Sequence, residues 1–131
     1  MPPVPSQSGA SSPATAIATA ITRMHRDHYG RGATRARTII HGDVVAVVME
    51  DIYTPVERTL LDAGKEETVR TTRHEFQMAM RTTFSDAVEQ VMGRRVIAFM
   101  SQVHFNPDMG VELFVLAPAA ADEPETVEEA E

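Results

Sequence analysis

The apolar positions of this chain switch between a helical and a strand period three times. Ile17, Ile21, Met24 and His28 recur at steps of four, three and four. That is one face of a helix, predicted over 14–29, with Ser12 or Thr15 as its cap and Gly30 as its stop. Strand character follows in Thr38-Ile39-Ile40, then Gly42-Asp43 as a tight turn, then Val44 to Ile52. The run VVAVVMEDI is dense in β-branched residues and nearly continuous in its apolar character. It reads as a central strand buried over much of its length. These two strands are predicted at 34–41 and 44–52.

The segment Tyr53-Thr54-Pro55-Val56-Glu57-Arg58-Thr59-Leu60-Leu61-Asp62-Ala63-Gly64 joins the strand-like half to a helical half. Thr54 can accept from the backbone of Glu57, and Glu57 can reach back to the backbone of Thr54, which makes a capping box. Pro55 occupies the first helical position, where its missing N–H costs nothing, and Gly64 suits a left-handed stop. A helix is therefore predicted over 55–63. From 66 to 92, Val69, Phe76, Met80, Phe84, Ala87 and Val91 repeat at helical steps. Arg70, Arg73, His74, Glu75, Arg81, Asp86 and Glu89 are placed on the opposite, polar face. Two more strands are expected at 95–105, buried on both faces in its middle, and at 111–117, joined through Asn106-Pro107-Asp108-Met109-Gly110.

The order α-β-β-α-α-β-β describes an α+β fold, a single two-layer domain whose antiparallel hairpins form a small sheet with helices packed on one face. Residues 1–13 are proline, serine, glycine and small residues, read as a disordered lead-in. The folded domain is 14–117, and 118–131 is read as an acidic disordered tail. The free edges of so small a sheet invite a second copy, so a homodimer or higher homo-oligomer is expected.

Composition changes this picture in one place. The formal net charge of the 131 residues is −7, but the last ten carry six acids and no cation. With those acids set aside the rest stands at −1, so the body is nearly neutral. It lacks the basic bias of a dedicated nucleic-acid binder. The absence of cysteine excludes disulfides and thiolate chemistry. The N-terminus shows no secretory pattern, and no apolar run approaches the ~20 residues of a membrane span. A cytoplasmic location is expected, peripheral to the membrane only through a partner.

Candidate chemistry is sparse. His25 and His28 sit three apart with Asp27 nearby, but no further ligand clusters with them, so no metal site and no cofactor are assigned. Glu50 and Asp51 are adjacent on a strand, point to opposite faces and cannot work as an acid–base pair. The one dense cationic stretch is Tyr29-Gly30-Arg31-Gly32-Ala33-Thr34-Arg35-Ala36-Arg37. Glycines at 30 and 32 can turn backbone N–H groups toward an anion, and Arg31, Arg35 and Arg37 offer planar donors. Gly30, Arg31, Gly32, Arg35 and Arg37 are thus the candidate anion- or partner-binding residues. The stretch is neither a P-loop nor a dinucleotide fingerprint. Its bland reading is a helix-to-strand turn with solvated arginines.

Taken together, Tyr29-Gly30-Arg31-Gly32, the strand after Asp43, Thr54-Pro55-Val56-Glu57-Arg58-Thr59-Leu60-Leu61, Arg73, and the hairpin ending in Val111 to Leu116 resemble the MpsC-like family. These are small proteins associated with Na+-translocating, membrane-potential-generating systems. The resemblance spans residues 14–117. It departs from the family at Ala33, where proline often follows the second glycine. It carries over no catalytic residues. It implies an accessory component of membrane ion or bicarbonate transport, with membrane transport subunits as partners. Two readings follow: a non-enzymatic partner or regulator of a transport system, and a small anion- or nucleotide-binding module using the Gly-Arg-Gly turn. An enzyme ranks below both, because no nucleophile–base pair can be assembled.

Overall fold

A computed structural model of the chain describes residues 12–119 and 127–130. The elements run α1 (Pro13–Tyr29), β1 (Arg35–His41), β2 (Val44–Glu50), α2 (Pro55–Asp62), α3 (Glu66–Ala79), α4 (Arg81–Met92), β3 (Val96–His104), β4 (Met109–Leu116) and β5 (Val127–Ala130). The seven expected elements are present in the expected order, in one α+β domain. Two features were not expected: the long helix breaks at Met80, and the tail supplies a fifth strand.

The local chemistry accounts for the boundaries. The Ser12 side chain accepts from the Thr15 backbone at the start of α1, and Gly30 closes it at φ 81°. The capping box at α2 forms in full: Thr54 N–H donates to Glu57 Oε1 at 2.9 Å, and Glu57 N–H to Thr54 Oγ1 at 3.2 Å. The far end of α2 is a Schellman motif. Gly64, at φ 77°, donates to Leu61 O, and Lys65 N–H donates to Leu60 O. At Met80 ψ opens to 1° and its N–H bonds Phe76 O and Met78 O. No glycine or proline marks that joint in the sequence. The buried Met80 side chain anchors it, and the two shorter helices set Val69, Arg73 and Gln77, then Phe84 and Val88, into the interior.

The sheet order is β3-β4-β2-β1-β5, antiparallel throughout. Burial falls on alternate residues: Val45, Val47 and Met49 of β2, and Gly110, Glu112, Phe114 and Leu116 of β4. With Ile17 and Ile21 of α1, Val69 of α3, and Phe84 and Val88 of α4, this face builds the core. β2 is central, as its apolar run implied. β3 is not buried on both faces. It is an edge strand, with Ile97 and Met100 more than half exposed. The apolar run could not reveal which strand lies outermost.

The tail was read as solvated throughout. Its residues Val127–Ala130 instead pair with Thr38–His41 of β1. Two glutamates find partners there. Glu128 Oε1 accepts from Ala14 N–H in the first turn of α1 at 3.1 Å, and Glu129 pairs with Arg37. A carboxylate at a helix N-terminus is favourable, because it meets unpaired N–H groups and the positive end of the dipole.

Candidate functional site

The glycine-flanked turn does not gather its arginines at one point. Gly30 caps α1, its N–H bonding Arg26 O. Gly32 lies against α1, where an added Cβ would meet Thr22 Cγ2 at 2.9 Å. Arg31 turns inward. Its Nη1 donates to Tyr53 O at 2.7 Å and its Nη2 to Asp51 Oδ2 at 2.9 Å. Arg35 and Arg37, two apart on β1, are carried away from it onto the face of the sheet opposite the core. Their cross-strand partners are Glu50 and Val48.

Arg31 belongs to a surface polar knot between the end of β2 and the start of α2. Its hub is Asp51, a non-glycine residue at φ 60°. The Asp51 carboxylate accepts from Thr34 Oγ1, Arg31 and Arg58. Hydrogen bonds from Thr34 and then Arg31 hold its carboxyl below the usual range. Asp108 closes the knot: its carboxylate takes Ile52 N–H at 2.7 Å and Arg58 Nη2 at 2.9 Å, and its carbonyl takes Asp51 N–H. Adjacent strand positions were expected for Glu50 and Asp51, but β2 ends at Glu50 and Asp51 turns out of the strand at φ 60°.

Beneath the knot lies Arg73, which sequence periodicity had assigned to a polar face. It is 1% exposed. Nε and Nη2 grip the two oxygens of Glu57 at 2.7 and 2.6 Å, and Nη2 also donates to Ile52 O. The guanidinium carbon lies 3.8 Å from the Tyr29 ring centre and 5.2 Å from that of Tyr53. Burial pushes the Glu57 carboxyl upward. The Arg73 hydrogen bonds and those at Thr54 outweigh it and leave the carboxyl below its ordinary value. The Tyr29 hydroxyl is pushed up to about 12, chiefly by burial and against the opposing pull of Arg73.

A second polar group is buried behind α3. His25 and Glu112 are 4% and 1% exposed, with Nε2 and Oε2 3.3 Å apart. His25 Nδ1 sits 2.8 Å from Ile21 O, one turn back on the same helix. Gln77 Nε2 lies 3.4 Å from His25 Nε2. The helical spacing placed His28 on the apolar face and left His25 off it. The reverse holds, because the buried stripe of α1 runs through Ala14, Ile17, Ala18, Ile21 and His25. Glu112 gave one faint signal in the sequence, a single acid at an inward position of an alternating strand.

An open cleft of about 340 Å³ leads toward this group between α3 and β3, lined by Arg70, His74, Gln77 and Ser101 among others. Among the described residues, no group of three or more His, Asp or Glu could hold a metal ion.

The helix-free side of the sheet differs in character. The registers put Ile39, Ala46, Val48, Leu113, Val115 and Met100 on that one surface, opposite the face on which the described helices pack. An antiparallel sheet with one solvated face ordinarily alternates apolar-in and polar-out. Here the outer face is apolar too, and Arg35, Arg37 and Glu50 gather at one end of it.

A family profile described as "Na+-translocating membrane potential-generating system (MpsC)" matches residues 11–118. The chain belongs to the MpsC family. The match covers the whole α1-to-β4 body of this MpsC chain, including the turn at Gly30–Gly32, the capped α2 and Arg73. No curated protein and no solved structure matches it. No helix of the described residues is long and apolar enough to cross a membrane.

Proposed function

We propose that this MpsC chain is a non-enzymatic accessory or regulatory component of a Na+-translocating, membrane-potential-generating system. In this reading it docks on a protein subunit of that system through the helix-free face of its sheet. The observation that carries the reading is the half-buried apolar surface of β1, β2 and β4, over which no helix of the described residues lies, rimmed at one end by Arg35 and Arg37. A large apolar patch with a polar rim is the usual mark of a protein interface. The rim arginines suit an acidic partner surface. The polar residues of the turn and of α2 support the same view from the other side. Arg31, Arg58, Glu57 and Arg73 are bonded to one another's neighbourhoods and brace the scaffold, and none is paired with a nucleophile. The anion-binding alternative draws less support, because Arg31 is occupied by Asp51 and Tyr53 and Arg37 is paired with Glu129.

The test uses membrane vesicles carrying the system and a potential-sensitive dye. Full chain is added, and Na+-dependent potential and co-sedimentation are followed. Wild type is expected to co-sediment and to change the potential, and Leu113→Lys, which charges the centre of the face, is expected to do neither while keeping its unfolding midpoint. An Arg35→Gln/Arg37→Gln pair should weaken both readouts less. A Leu113→Lys chain that behaves as wild type would discard the docking face.

A further inference from the structure

We infer that two copies of this chain join through β3, edge to edge and antiparallel, into one continuous ten-stranded sheet. Among the described residues β3 pairs only with β4, so its other side is a free sheet edge. Natural edges are blunted by charge, proline, bulges or shortness. The opposite edge, β5, follows that rule: it is four residues long with two glutamates. β3 does so only at its first residues. Its nine residues, VIAFMSQVH, contain no Asp, Glu, Lys, Arg or Pro, and a single irregularity between Val96 and Ala98 is its only interruption. Ile97 and Met100, at 54% and 52%, are among its most exposed residues. Side chains of this chain cap only the ends: Val96 N–H donates to Glu89 Oε2 and Val103 N–H to Gln102 Oε1. Between them, alternate residues present backbone donors and acceptors outward.

The occupant is a second copy because the surroundings are self-complementary. An antiparallel pair of identical strands has a two-fold axis, here at Met100, the midpoint of β3. It sets Phe99 beside Ser101 of the partner subunit and Ala98 beside Gln102 of the partner subunit. Core-side and outer faces stay continuous, since paired residues share a face. The helix layer then matches in charge. The cleft along residues 101–103 is flanked by His74 and by Arg70, which is 43% exposed and shares its charge only with the solvent-screened Glu67 one turn away on the same helix, while the charge of Arg73 there is met by Glu57 in the interior. The cleft along residues 96–99 is flanked by Asp86 and Glu89, with one cation, Arg81. Antiparallel pairing lays the basic end of one protomer beside the acidic end of the other, twice. An isologous two-fold interface requires this kind of self-match. Parallel pairing would set like charges together.

The state of the full chain is read by sedimentation over a dilution series. Wild type should run at twice 14.4 kDa and dissociate on dilution. Ser101→Pro removes an outward N–H on an edge strand, a position where proline is tolerated. It should yield a folded monomer. Should that variant fail to fold, Arg70→Glu, on the helix surface, decides. It is expected to weaken the dimer by about tenfold through like-charge contact, and adding Asp86→Arg should restore it. A wild type that is monomeric throughout, or a dimer indifferent to Arg70→Glu, overturns the proposal. The readout is mass in the absence of membranes, so it stands or falls apart from the docking of a transport subunit.

Discussion

Arg73 shows how far a single residue can depart from its periodic assignment. Helical spacing placed it with Arg70 and His74 on a wet face, yet it is almost wholly buried. Burying a guanidinium is tolerable only when its donors are matched, and Glu57, Ile52 O and two aromatic rings match them. Removing the partner charge is therefore expected to cost more than the pair contributes. Glu57→Gln leaves Arg73 buried without a counter-charge and should lower unfolding stability by about 3 kcal/mol in urea titrations. A loss under 1 kcal/mol would mean that water reaches the guanidinium. The same pair predicts a pH dependence. The Glu57 carboxyl lies below its ordinary value of 4.5 in the folded state. Its contribution is present in full above 4.5, and is lost as pH falls below 4.5 and through the lowered folded value. Urea midpoints of wild type should thus hold from pH 7 to 5 and then drop. Glu57→Gln should show a shallower drop over the same acid range, while an identical drop in both would assign it to other carboxylates.

At the scale of elements, α2 is the part most fully written in local chemistry. Thr54, Pro55, Glu57 and Gly64 each carry a cap or stop, and each is used. Thr54→Ala deletes the hydroxyl that accepts from Glu57 N–H, while the bonds from the backbone of residue 54 and from Arg73 still hold the carboxylate. A loss of about 1 kcal/mol is expected for the cap. A double mutant with Glu57→Gln should lose less than the two single changes together, because both act on one network. Full additivity, measured by equilibrium unfolding, would show that the cap and the buried pair are independent. The elements that the sequence concealed are those fixed by distant partners. No breaker residue announces the joint at Met80, whose position depends on packing. The inward turn of Arg73 depends on Glu57, Tyr29 and Tyr53, sixteen to forty-four positions away. Of the candidate residues, the glycines were legible because backbone geometry is local. The separation of Arg31 from Arg35 and Arg37 was not, because Asp51 draws the first inward and strand alternation directs the other two.

For the whole molecule, the question is how the acidic tail relates to the body. β5 sits at the β1 edge, far from β3 in the sheet order. Its contacts are a short ladder to β1, Glu128 at the N-terminus of α1, and the exposed pair Arg37–Glu129. The pair contributes little, being screened by solvent. The carboxylate at the helix start is expected to contribute about 0.3–1 kcal/mol. The core residues, by contrast, all lie between Ala14 and Leu116. A chain ending at Ala119 should accordingly fold cooperatively, with a loss of roughly 1–2 kcal/mol. Its larger change should be colloidal. Uncovering β1 gives the sheet a second free edge, seven residues long and containing Thr38-Ile39-Ile40. Truncated chains can then add at both ends of the sheet, so assembly need not stop at a closed pair. Light scattering should show open-ended, concentration-dependent growth in the truncated chain and none in the full one, and Ile39→Lys in the truncated chain should suppress it. Growth that persists in that variant would place the new contact elsewhere, and a truncated chain that does not fold would make β5 part of the core rather than its guard.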